Sequence, residues 1–110
     1  MRLFEKVRIE VFIPDLPDPS YHRLLDQLET EFSYAFGGYT VVSASGSFRS
    51  ASGLILPDKI NILFADAKLE LQRDRLLVGQ YAERVRSAVQ RALEREKAVL
   101  VSVYNVFHDE

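Results

Sequence analysis

From Phe36 to Gly53 the chain reads Phe-Gly-Gly-Tyr-Thr-Val-Val-Ser-Ala-Ser-Gly-Ser-Phe-Arg-Ser-Ala-Ser-Gly, and within it the spacing of apolar residues changes from helical to alternating. Upstream, Tyr21, Leu24, Leu25, Leu28 and Phe32 recur at the interval that lines one side of an α-helix. Gly37 or Gly38 can take the left-handed conformation that closes such a helix. Downstream, Tyr39 to Phe48 is rich in Thr, Val and Ser and reads as a strand, with Gly46 a candidate bulge and the Ser-Ala-Ser-Gly segment at 50 to 53 a turn. One stretch thus fixes a helix end, a strand and a reversal of direction.

The flanking elements follow the same logic. Val7, Ile9, Val11 and Ile13 alternate with Lys6, Arg8, Glu10 and Phe12, which predicts a first strand ending at Pro14. Asp18 followed by Pro19 is a helix start, with a carboxylate to cap and a proline in the first turn. Leu54 to Leu56 can extend the hairpin before Pro57 and Asp58, and Lys59 to Ala65 gives a third strand. After a loop around Asp66 to Gln72, the residues Leu77, Tyr81, Val85, Ala88, Val89 and Ala92 mark a second amphipathic helix, weakened early by Gly79. Ala98 to Phe107 is the last strand.

The order β-α-β-β-α-β, with one apolar stripe on each helix, predicts a single ferredoxin-like α+β sandwich over residues 1–110: a four-stranded antiparallel sheet with two helices on one face. The first and third strands are expected at the centre. The helix-facing side is expected to carry Val7, Ile9, Val11, Ile13, Val99, Val101 and Val103 with Ile60, Ile62 and Phe64. The other side then carries Arg8, Glu10, Phe12, Asn61, Leu63, Leu100, Ser102 and Tyr104.

The 36 to 53 segment also resembles a pattern of small uncharacterised bacterial proteins of about this size, Gly-Gly-x-Thr followed by a short strand and Gly-x-aromatic-Arg, through Gly37, Gly38, Thr40, Gly46, Phe48, Arg49 and Gly53. The resemblance implies the fold and brings no activity with it.

Several chemistries are disfavoured. With no Cys, the 110-residue chain has no thiolate catalysis, disulfide or cysteine-ligated metal, which agrees with a reducing, cytoplasmic setting. Two His leave little for a metal site, and no apolar run is long enough to span a bilayer. Asp15 resembles in position the metal-binding carboxylate of dimeric ferredoxin-like nucleases, with Asp18 as a second ligand, but Asp18 is wanted as a helix cap and Asp15 sits in ordinary turn chemistry. No metal and no cofactor are expected. The glycines of the 36 to 53 segment follow a helix, whereas a phosphate cradle precedes one. A net charge of -2 and the lack of stacking aromatics on the third strand disfavour nucleic acid. The charge is uneven all the same. Asp26, Glu29 and Glu31 make the first helix acidic; Arg73, Arg75, Arg84, Arg86, Arg91, Arg95 and Lys97 make the second basic, so the two are expected to interact along their edges.

What remains is the uncovered sheet face, where apolar side chains are expected to point away from the helices, against the usual alternation of a half-covered sheet. The expected binding residues are Arg8, Glu10, Phe12, Asn61, Leu63, Ser102 and Tyr104. They predict a non-enzymatic domain that self-associates, with a two-fold dimer favoured, through this face or the edge of the second strand. The alternative is a small-molecule binder or enzyme of the dimeric α+β barrel type, with Glu10 as general base.

Overall fold

The computed structural model describes residues 3–92 and 100–109. Its elements are β1 (Leu3–Pro14), α1 (Pro19–Phe36), β2 (Thr40–Arg49), β3 (Ile55–Ala67), α2 (Arg75–Ala92) and β4 (Val101–Asp109). The strands form one antiparallel sheet in the order β2-β3-β1-β4, so β1 and β3 are central. This is the ferredoxin-like arrangement. Val99, Arg95 and Lys97 lie outside the described residues.

Local chemistry explains the helix ends. Asp18 accepts a hydrogen bond from the Ser20 backbone N–H at 2.9 Å, and Pro19 needs no donor in the first turn. At the other end Gly37 adopts φ 81°, and its N–H reaches the Ser33 carbonyl at 3.0 Å. The left-handed backbone costs glycine nothing, so the helix stops there. The core is formed by Val7, Ile9, Val11 and Ile13 of β1 under Leu24, Leu28 and Phe32 of α1 and Val78, Val85, Ala88 and Val89 of α2.

The β3 register corrects the expected faces. Val7 lies opposite Ala67, Ile9 opposite Ala65, Val11 opposite Leu63 and Ile13 opposite Asn61. Residues directly opposite in an antiparallel pair point to the same side. Leu63 and Asn61 therefore face the helices, with Leu63 fully buried, whereas Ile60, Ile62 and Phe64 face outward beside Phe12 and Glu10. The strand also runs further at both ends than Lys59 to Ala65. Pro57 fits inside it because β1 ends at Pro14 opposite Ile60, so this part of β3 has β2 alone for a neighbour. Gly46 is not a bulge: it pairs with Asp58 in unbroken register. On α2 the buried residue of the first turn is Val78, and Leu77 is exposed.

Two expected outcomes test this packing. Leu63→Ala should cost about 2 to 5 kcal/mol in denaturant unfolding, as deletion of a fully buried leucine does, whereas an outward-facing Leu63 would make it nearly neutral. Gly79→Ala should stabilise by about 0.5 to 1 kcal/mol in the same assay, because a Cβ there meets nothing within 4 Å.

Candidate functional site

The uncovered face is built by the strand registers. One row across the sheet runs Thr40, Phe64, Glu10 and Ser102; the next runs Val42, Ile62 and Phe12; on the other side lies Asp66, Arg8 and Tyr104. The structure therefore brings together Arg8, Glu10, Phe12, Ser102 and Tyr104 as expected from sequence. It separates Asn61 and Leu63 from them and supplies Ile60, Ile62, Phe64 and Asp66 instead.

The polar members satisfy one another. Arg8 donates to Asp66 through Nε at 2.7 Å and Nη2 at 3.0 Å, a bidentate pair. Its guanidinium carbon also sits 4.3 Å from the centre of the Phe64 ring, a cation–π contact. The Asp66 hydrogen bonds hold Arg8 still further above its already high pKa, against a smaller opposing effect of burial. The Tyr104 hydroxyl donates to Glu10 Oε1. That bond, followed by partial burial, raises the Tyr104 pKa above its ordinary value. Tyr104 is thus a held proton rather than an available base, and Arg8 is not free to grip an anion.

Around this polar island the face is apolar. Val42 and Leu100 are exposed and Phe12, Ile60, Ile62 and Phe64 partly so. Beyond Ile60, where no other strand flanks the β2–β3 ribbon, the same side carries Asp58 opposite Gly46 and then further apolar residues. Phe48 pairs with Leu56 on the side shared with Val42 and Ile62, while the reverse side carries Ser43, Ser45, Ser47 and Lys59. Phe48 and Leu56 are both exposed. Sequence reasoning did not place these two on the uncovered face, although their spacing from Val42 and Ile62 is even in both strands, which is the signal for a shared face.

The most prominent concavities among the described residues run along the helices and the β3–α2 loop, one of them reaching Asp66, and neither Glu10 nor Tyr104 lines them. No group of metal-ligating side chains occurs among the described residues, and none of their helices is long and apolar enough to cross a membrane. The expected interaction of the helices by ion pairs is absent among the described residues: Arg86 pairs with Glu83, and Arg73 with Glu70 and Asp74.

No family model matches the chain, and no curated protein sequence does. Solved structures share the fold. CutA from Synechococcus elongatus PCC7942 superposes with a TM-score of 0.57 at 11% identity, over 97% of this chain and 85% of that one. CPII, a nitrogen regulatory PII-like protein from Thiomonas intermedia K12 bound to ADP, AMP and bicarbonate, gives 0.51 at 16%, over 99% and 100%. The B. subtilis GlnK–ATP complex gives 0.52 at 12%, over 93% and 82%.

The Glu10–Tyr104 bond has a sign that can be tested. Ionising Tyr104 would set a phenolate against a carboxylate, so the fold favours the neutral phenol. Its stabilisation is complete below pH of about 10 and is lost as the pH rises through the raised value. In a ¹³C NMR titration the Tyr104 Cζ signal should inflect at higher pH in the parent than in Glu10→Gln; coincident curves would show that Glu10 does not hold the phenol.

Proposed function

We propose that this chain is a non-enzymatic, cytosolic interaction domain that self-associates through the uncovered sheet face and the apolar side of the β2–β3 ribbon. The carrying observation is the apolar surface running from Phe12, Ile62 and Phe64 to Phe48 and Leu56, crossed by the paired groups Arg8–Asp66 and Glu10–Tyr104 and, between Ile60 and Leu56, by Asp58 opposite Gly46. Paired, hydrogen-bonded charges can be removed from water at far lower cost than single ones, so this island fits an interface. Covering about 600 Å² of apolar area is worth about 15 kcal/mol before association costs. An isolated two-stranded ribbon is marginal in water, which adds a reason for it to be covered. A face of balanced charge is self-complementary, and a two-fold dimer is the smallest assembly that covers both copies. The absence of cysteine agrees with a reducing compartment.

The small-molecule alternative uses Arg8, Glu10, Ser102 and Tyr104. It draws support from fold relatives that hold nucleotides, but Arg8 and Glu10 are already engaged by Asp66 and Tyr104, so self-association is the reading we favour.

Light scattering coupled to size exclusion tests the proposal. The parent should run at twice 12.6 kDa or more, and Ile62→Asp and Phe48→Asp should each give a monomer with unchanged helical circular dichroism. A parent that stays monomeric at about 100 μM, where specific interfaces of standard size are occupied, would overturn it.

A further inference from the structure

On the opposite side of the molecule, the cleft between α1 and α2 is a second site independent of the sheet face. It is an open cleft of about 540 Å³, a volume within the range of small-molecule sites. Its floor is an aromatic row: Phe32 and Phe36 meet edge to face at 5.3 Å between ring centres, and Phe36 meets Tyr81 at 5.4 Å. Val85 completes the apolar part. Glu31 from α1 and Arg84 from α2 line the same cleft and also the adjoining concavity toward Arg91.

The two charges are the informative part. Glu31 and Arg84 face one cleft from different helices, yet among the described residues neither makes an ion pair or a side-chain hydrogen bond. Beside Arg84 on α2, Glu83 is engaged by Arg86, which also donates to Gln90 at 2.6 Å. Glu83 is therefore not available to neutralise Arg84. An anion site would need Glu31 removed, and a cation site would need Arg84 removed. A ligand that carries both signs a short distance apart, with an apolar body, satisfies all three features at once.

We infer that the α1–α2 cleft binds a free α-amino acid with a large apolar side chain. The carboxylate lies on the Arg84 guanidinium, which offers paired donors in the geometry a carboxylate accepts. The ammonium lies on Glu31, and the side chain packs on Phe36 and Tyr81, whose edge-to-face arrangement leaves ring surface for a further aromatic or branched group. Both charged contacts are solvent-facing, so each contributes modestly and affinity rests on their combination with apolar burial.

The test is a ¹H–¹⁵N NMR titration of the full chain with L-phenylalanine, alongside 3-phenylpropionate, which lacks the ammonium, and phenethylamine, which lacks the carboxylate. L-Phenylalanine should give saturable shifts at the amides around Phe36 and Tyr81, with both analogues weaker by about threefold to fivefold, the scale of one exposed charge contact. Arg84→Gln and Glu31→Gln, both at exposed positions, should weaken L-phenylalanine by a similar factor and leave the rest of the spectrum in place. Absence of saturation by about 20 mM, below which a useful small-molecule site should fill, would overturn the inference. So would equal binding of either analogue, an Arg84→Gln variant that binds like the parent, or shifts confined to Phe12 and Phe64 on the sheet face.

Discussion

The pairing of β1 with β3 is the constraint on which the rest of the structure depends. β1 places Val7, Ile9, Val11 and Ile13 on one side, all buried, and the partner strand must present residues of matching size at the same depth. It does so with Ala67, Ala65, Leu63 and Asn61 in turn. The small residues fall beside Val7 and Ile9, which leaves room for helical side chains over that end of the sheet. Slipping β3 by one residue would put Asp66 and Phe64 under the helices, adding an unpaired charge and an overfilled layer to the core. A single register thereby decides both the core and the composition of the outer face.

The same register determines what the outer face can do. Asp66 is brought beside Arg8, and the ring of Phe64 beneath its guanidinium. Glu10 falls within reach of Tyr104 across the β1–β4 pair. Arg8, Glu10 and Asp66 thus each have a partner supplied by an adjacent strand, and the surrounding Ile62 and Phe12 can be desolvated without stranding one of these three charges. Phe48 and Leu56 fall on the same side, across the Gly46–Asp58 pair, because β2 and β3 stay in phase through Gly46 and Pro57. A bulge at Gly46 would have turned Phe48 to the serine-rich side and divided the apolar surface.

How far sequence could go depended on whether the decisive signal was local. The cap at Asp18, the stop at Gly37 and the alternation of β1 are local, and the structure agrees with each. The phase of β3 is not local, since Ile60, Ile62 and Leu63 are apolar in both phases. The deciding residue is Asp66: its charge belongs outside, which by period two sends Phe64, Ile62 and Ile60 outside with it. A strand ending at Ala65 lacks that signal, and without it Asn61 and Leu63 fit the outer face equally well. In α2, Leu77 and Val78 are adjacent apolar residues 100° apart on the helix, and it is Val78 that is buried with Val85, seven residues further on. The surface role of Phe48 and Leu56 rests on how far β1 extends along β3, which is a property of the assembled sheet.

The uneven charge of the two helices takes its meaning from the same geometry. Packing both helices on one sheet face leaves a cleft whose floor is aromatic, with Glu31 of the acidic helix and Arg84 of the basic one at its walls. Arginines that can find an acid within their own turn do so, as Arg86 does with Glu83, at the small gain expected of such pairs. Arg84 and Glu31 point to the cleft and have no such local partner. Phe32, Phe36 and Tyr81 pack edge to face beneath them, within the layer that covers β1. The packing that stabilises the helical layer therefore also shapes the cleft in which the two charges are available to a third species.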